Sequence, residues 1–160
     1  MFNALPSQAR LQELFTYEPL TGALVRKSAP PHLRKLLGKA CENKSSGGYI
    51  TVRVDRTLYA VHRLIWMHVY GVDPGDLQID HIDGDPSNNR LTNLRLATNS
   101  QNQCNVIKKR DLPKGVYRWR KKFRAKIGND HIGLFDSAEA AHDAYCREAF
   151  KRHGHFARTA

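Results

Sequence analysis

Cysteine is scarce in this chain. Cys41, Cys104 and Cys146 are odd in number, far apart and never part of a C-x-x-C pair, so neither a disulfide framework nor a zinc finger is indicated. Long apolar runs are missing too, and no window reaches the roughly 18 apolar residues of a membrane span. The opening MFNALPSQAR holds no apolar core of signal-peptide length. The expectation is a soluble, cytoplasmic protein with no membrane partner. Acid is the third shortage: 15 Asp and Glu stand against 26 Lys and Arg, a formal net charge of +11. Such an excess points to a polyanionic partner, because phosphate contacts supply both long-range attraction and affinity. At 160 residues the chain makes one domain or two small ones, with no large enclosed substrate cavity.

What acid there is clusters. Asp76, Asp80, Asp83 and Asp85 fall within LQIDHIDGDPSNNR and the residue just before it, with His81 among them and Asn88 and Asn89 beyond. An EF-hand does not fit this stretch. With Gly84 at loop position six, Ile79 and Arg90 would occupy positions one and twelve, where carboxylate ligands are required.

The flanking pattern places the cluster on a small scaffold. Residues 8–17 read as a short helix with Leu11, Leu14 and Phe15 on one face, followed by a turn at Thr21-Gly22 and a strand. Residues 27–39 are basic, broken by Pro30-Pro31, and read as an exposed loop. Alternation over Tyr49–Val54, with Asp55-Arg56 as the turn, predicts a hairpin. A helix then carries Val61, Leu64, Ile65, His68 and Val69 at three- and four-residue spacing and stops at Gly71; His62 and His68 read as core or surface imidazoles. LQIDH and NLRLAT are short strands around a turn-rich loop, and NSQNQCNVIKK is a helix capped by Asn99 or Ser100.

Strand, loop, strand and helix over residues 77–109 suit phosphodiester hydrolysis. A histidine is the natural base for water near neutral pH. A hard divalent cation prefers oxygen ligands, and Asp80 supplies one. Neighbouring strand residues point to opposite faces, so Asp80 and His81 can address different sides of one phosphate. VHRLIWMHVYGVDPGDLQIDHIDGDPSNNRLTNLRLATNSQNQCN, within roughly residues 45–107, resembles the HNH (ββα-metal) endonucleases of the phage and intron homing type. LFTYEPLTGALVR resembles their N-terminal segment. The resemblance implies His81 as general base, Asp80 and Asn102 as metal ligands, and Asn93 as the central Asn that pins the loop between the strands. Asn102 stands where some relatives carry His. The resemblance further implies a divalent metal, Mg²⁺ foremost with Mn²⁺ as the alternative, and double-stranded DNA cut to 5′-phosphate and 3′-hydroxyl ends. One active site per chain implies nicking, by a monomer or a homodimer, in a bacterial host's cytoplasm if the chain is phage-encoded. Asp83 and Asp85 read as turn formers, Asn88 and Asn89 as loop-fixing amides. For Arg90 and Arg95, a phosphate contact and a structural ion pair both stay open. A DNA-binding regulator with an inactive HNH fold is the alternative function.

The texture changes after the Pro/Gly-containing linker KKRDLPKG. Three short strands follow over residues 116–135, with Phe123, Ala125 and Ile127 on one face of the middle strand and Lys122, Arg124 and Lys126 on the other. Asp136 and Glu139 form a capping-box pattern opening a helix to about His153, with a stripe of Ala138, Ala141, Ala144, Tyr145 and Ala149. The sequence from Gly115 to Gly154 resembles an AP2/ERF-type DNA-binding domain, which implies a sheet that enters the major groove. Arg118, Arg120, Lys122, Arg124 and Lys126 are the implied contacts, with Trp119 either among them or covering the sheet edge as core. Tyr117 departs from the Arg usual in that family. The expected organisation is α+β: an HNH nuclease domain over 1–110, its ββα-metal core at about 77–109, and an AP2/ERF-like domain over 111–160. Removing residues 111–160 is expected to weaken target selection while leaving metal-dependent nicking.

Overall fold

A computed structural model describes residues 4–106 and 111–157. The class is α+β, with small antiparallel sheets and short helices. The chain forms two compact units, Met1–Ala97 and Thr98–Ala160.

In the first unit, helix α1 (Gln8–Leu14) starts at Ser7, whose hydroxyl accepts from the Arg10 N–H at 3.2 Å. It ends earlier than its apolar spacing predicts. Phe15 is already extended and opens strand β1 (Phe15–Glu18), which pairs with β2 (Ala23–Arg26). Phe, Thr and Tyr favour a pleated, half-buried strand, and the Thr21-Gly22 turn brings them a partner. The basic loop carries a 3₁₀ helix, Pro31–Leu36, with Pro at its start. Strands β3 (Thr51–Val54) and β4 (Thr57–Ala60) form the expected hairpin. Its turn residues Asp55 and Arg56 have φ of 46° and 70°, as a tight hairpin turn with two left-handed residues demands. Helix α2 (Val61–Tyr70) follows directly and ends on Gly71 at φ 68°, a left-handed cap that costs glycine little. Leu11, Leu14, Phe15, Leu24, Val52, Val54, Val61, Leu64 and Ile65 make one core from α1, both hairpins and α2. Strands β5 (Gln78–His81) and β6 (Leu94–Ala97) pair antiparallel around the Asx-rich loop, Asp80 opposite Arg95 and His81 opposite Leu94.

The second unit begins with α3 (Asn99–Asn105). Its cap is Thr98, one residue before the expected Asn99. The Thr98 hydroxyl accepts from the Gln101 N–H and the Gln101 side chain accepts from the Thr98 N–H, a full capping box. Strands β7 (Val116–Trp119), β8 (Lys122–Ile127) and β9 (Asp130–Phe135) form a sheet in chain order. Helix α4 (Ala138–His153) is capped by Ser137, whose hydroxyl accepts from Ala140 N–H at 3.1 Å. Asp136, the expected cap, instead pairs with Lys122 at 3.1 Å. Ala141, Ala144, Tyr145 and Ala149 are buried, and small residues let the helix lie close to the strands. Gly115 belongs to that closeness: φ is +79° and an added Cβ would stand 2.0 Å from the Tyr145 ring. Helix α3 packs on α4 and on the 3₁₀ turn Gly154–Phe156. Residues 108–110 of the expected linker lie outside the described residues.

Candidate active site

Asp80 and His81 close strand β5, and both are buried, 4% and 5% exposed. Consecutive strand residues face opposite ways, which gives each a separate environment. Asp80 lies across the ladder from Arg95, and the Arg95 Nε donates to its Oδ2 at 2.9 Å. Of the two readings open for Arg95, the ion pair is the one formed. Arg90 donates from Nε to the Leu20 carbonyl at 2.6 Å and from Nη1 to Asn88 Oδ1 at 3.2 Å, so its guanidinium is a loop clamp.

His81 meets Asn89. The ring Nε2 lies 3.0 Å from Asn89 Oδ1, and Asn89 is 1% exposed. A carbonyl oxygen at that distance accepts, so in the tautomer that makes this bond Nε2 carries the hydrogen and Nδ1 is the opposite ring nitrogen. His62 lies edge-on to His81 with ring centres 5.1 Å apart, and Tyr49 stands 5.9 Å from the same ring. Burial, then the neighbouring His81 and Arg63, push the His62 imidazole down to about 3. It therefore stays neutral beside His81 and adds no competing charge.

The loop that presents Asn89 is tied at many points. Asn93 accepts the Asp83 N–H at 3.0 Å and donates from Nδ2 to Asp83 Oδ1 at 2.9 Å and to the Asn88 carbonyl at 2.8 Å. Its contacts are with the loop. Asp83 and Asp85 form successive Asx turns, accepting from the N–H groups of Asp85 and Ser87 at 2.8 and 2.9 Å. Burial pushes the Asp83 carboxyl up, but the N–H of Asp85 and the amides of Asn88 and Asn93 together hold it below the usual range. Asn88 donates to Asp83 Oδ2 at 2.6 Å. The β1–β2 hairpin grips the far end. Tyr17 donates its hydroxyl hydrogen to the Asn89 carbonyl at 3.3 Å and accepts from Leu91 N–H at 3.0 Å. Gly22, at φ +76°, sits so close that an added Cβ would stand 2.5 Å from the Arg90 nitrogen.

Asn102 stands on α3 in the second unit, its N–H bonded to the Thr98 carbonyl at 3.0 Å. Among the described residues no group of three or more His, Cys, Asp and Glu side chains could hold a metal ion. The Asp80 carboxylate is an oxygen donor of the kind that hard divalent cations prefer.

The C-terminal sheet sorts the basic candidates. Tyr117 and Trp119 alternate with Val116 and Arg118 along β7. Val116 belongs to the core beneath the sheet, which sets Tyr117 and Trp119 on the open face with Lys122, Arg124 and Lys126. Arg118 lies 5.8 Å from the Phe123 ring on the other side, and Arg120 sits in the β7–β8 turn at φ 54°. Trp119 is 46% exposed, so it does not cover the edge as core. The Arg124 guanidinium lies 4.7 Å from the Trp119 ring and 6.0 Å from the Tyr117 ring, and Lys126 lies 5.4 Å from Tyr117.

Sequence reasoning missed the Asn89–His81 bond, the packing of His62 on His81 and the grip of the hairpin on the loop. The Asn88-Asn89 doublet was the available signal: Asn88 is half-buried and bonded within the loop, whereas Asn89 is buried against His81.

Residues 59–104 match the family model described as HNH endonuclease. Protein 3.8 of Escherichia phage T7 is 44% identical over 45 residues, covering 28% of this chain and 37% of that protein. The chain thus spans well under two thirds of that relative. No solved structure matches. From β4 through α3, a stretch that includes Asp80, His81 and Asn89, the chain carries the segment matched by the HNH endonuclease model.

Proposed function

We propose that this protein is a metal-dependent DNA endonuclease of the HNH type that nicks a duplex, leaving 5′-phosphate and 3′-hydroxyl ends. The observation that carries the reading is the pairing of a buried carboxylate and a buried, oriented imidazole on consecutive residues of β5, within a segment similar to those endonucleases. His81 takes the proton of the attacking water at Nδ1, while Asn89 holds the opposite nitrogen and with it the plane of the ring. Asp80 is the proposed metal ligand in this unit. Asn102 is proposed as the second on motif order alone. The bound cation would supply Lewis-acid stabilisation of the departing 3′ oxygen. Asn93 keeps the strand–loop–strand geometry that aims His81.

The open face of the C-terminal sheet is proposed as a duplex-recognition surface. Arg124 would read bases and Lys122 and Lys126 phosphates, with Trp119 bracing Arg124. Arg118 and Arg120 lie off that face and remain proposed contacts only at its edge. The AP2/ERF likeness and a homing role rest on sequence resemblance.

The ion pair of Arg95 with Asp80 favours a second reading, a DNA-binding regulator with an inactive HNH fold, because a carboxylate already neutralised has less affinity for a cation. Supercoiled plasmid separates the two. Incubation with Mg²⁺ or Mn²⁺ is expected to give nicked circles, EDTA to abolish nicking, and His81→Ala to lower the rate about 10²–10⁴-fold. Binding without nicking under either metal would establish the regulator instead.

A further inference from the structure

The first unit holds a groove of about 1080 Å³ between the 3₁₀ helix Pro31–Leu36, the β3–β4 hairpin and α1. Neither Asp80 nor His81 lines it. Among the described residues its only acids are Glu13 and Asp55, and both are already bonded to Arg10, at 2.8 and 2.9 Å. That leaves the other three arginines of the lining, Arg26, Arg53 and Arg56, without an ion pair among the described residues.

Arg26 is the telling one. It is 6% exposed, its guanidinium lies 4.7 Å from the Phe15 ring, and Nη2 donates to the Arg53 carbonyl at a long 3.4 Å. A ring face and one carbonyl compensate a buried cation only in part, and buried charges are as a rule paired. The register of the two hairpins explains how it stays there. Arg26 is opposite Phe15 in the β1–β2 ladder, and Val52 and Val54 of β3 face the core, so the backbone holds the cation at the groove floor. Arg53 is exposed on β3, and Arg56 is exposed in the hairpin turn.

We propose that this groove binds a backbone phosphate of duplex DNA, with Arg26 as the buried anchor and Arg53 and Arg56 closing over the same strand. The inference rests on the DNA-binding part of the proposed function and not on its chemistry. It assigns to the nuclease unit a hold on DNA separate from the scissile phosphate.

The test measures binding, so the chemical step does not enter. Full-length protein carrying His81→Ala, in metal-free buffer, is titrated with a fluorescent duplex between 50 and 300 mM KCl. Each lost phosphate contact makes the slope of log K against log salt shallower by about 0.9. Arg26→Gln is expected to bind about tenfold more weakly at low salt, since hydrogen bonds to charged groups are the stronger kind, with a shallower slope. Arg53→Gln/Arg56→Gln changes only exposed side chains and is expected to lose between one and two such increments. It decides the matter if Arg26→Gln does not fold by thermal melt. Unchanged slopes in the folded variants would overturn the proposal. So would a rise in melting temperature with inorganic phosphate, abolished by Arg26→Gln, alongside unchanged DNA slopes, since that assigns the groove to a small anion. Altered slopes with no nicking by the wild-type chain would sink the nuclease reading and leave this one standing.

Discussion

At the scale of residues, the imidazole pair His62 and His81 behaves as two different groups built from one side chain. Asn89 gives His81 a hydrogen-bond acceptor on Nε2, whereas burial drives His62 down to about 3. Asn89→Ala removes the acceptor that orients His81. It is expected to lower the nicking rate about tenfold to a hundredfold, the usual effect of losing an orienting partner, with DNA affinity unchanged. Asn89→Asp retains an acceptor and is expected to recover most of the rate; a parallel loss of rate and affinity in both variants would mean that the loop had simply collapsed. His62 sets a pH dependence. In the unfolded chain the ring takes a proton near pH 6.5, but in the folded chain only near 3. The contribution of keeping it neutral is therefore complete above pH 6.5 and is lost as the pH falls toward 3, by up to about 1.4 kcal/mol per pH unit. Urea midpoints at pH 7 and pH 5 should differ less for His62→Asn than for the wild type.

At the scale of elements, strand alternation divides the basic residues of the C-terminal sheet between its open face and its edge. Arg124 is stacked against Trp119 and Tyr117, which removes rotamer freedom before any ligand arrives, and its buried Nε has no hydrogen-bond partner among the described residues. Lys126 offers a point charge over one ring. Arg124→Ala is accordingly expected to cost about 1–3 kcal/mol of binding and to relax preference at one base pair. Lys126→Ala should weaken all sequences alike and flatten the salt dependence. A binding-site selection performed on the two variants distinguishes these outcomes. The β1–β2 hairpin works comparably for the first unit. Its Tyr17 hydroxyl and the close approach of Gly22 fix the Asn89–Leu91 backbone, so a hairpin remote in sequence positions the partner of the expected base.

At the scale of the whole molecule, the place of α3 matters most. Removal of residues 111–160 is expected from the sequence to spare nicking. Yet α3 packs on α4 and on Gly154–Phe156, and Lys114 donates to the Cys104 carbonyl at its end. A helix of 7 residues is far below the length that is stable by itself in water. A chain ending at residue 110 is therefore expected to lose the α3 helix, and with it the proposed ligand Asn102 and metal-dependent nicking; the plasmid assay on the shortened chain checks this. Point substitutions on the sheet face are the cleaner probe of recognition. The net charge of +11 supplies the long-range attraction that every arm of this scheme shares.

Periodicity, turn chemistry and charge were enough to lay out nearly every element. The alternation over Tyr49–Val54 and the apolar spacing of α2 each prescribe one local solution, because both are set by side chains a few residues apart. The same locality explains the misplaced caps. Thr98 and Ser137 each compete with a neighbouring capping residue, and only the path of the chain decides which hydroxyl meets an N–H. Asp80 and His81 stood out in the sequence as a doublet at a strand end, and Asn93 through the resemblance of the contiguous motif to HNH endonucleases. What only the tertiary structure decided were the long-range pairings: Asn89 with His81, Arg95 with Asp80, His62 against His81, Gly22 against Arg90, and Arg26 in a groove whose described acids, Glu13 and Asp55, are bonded to Arg10. Each depends on packing and strand register, which the order of residues along the chain does not display.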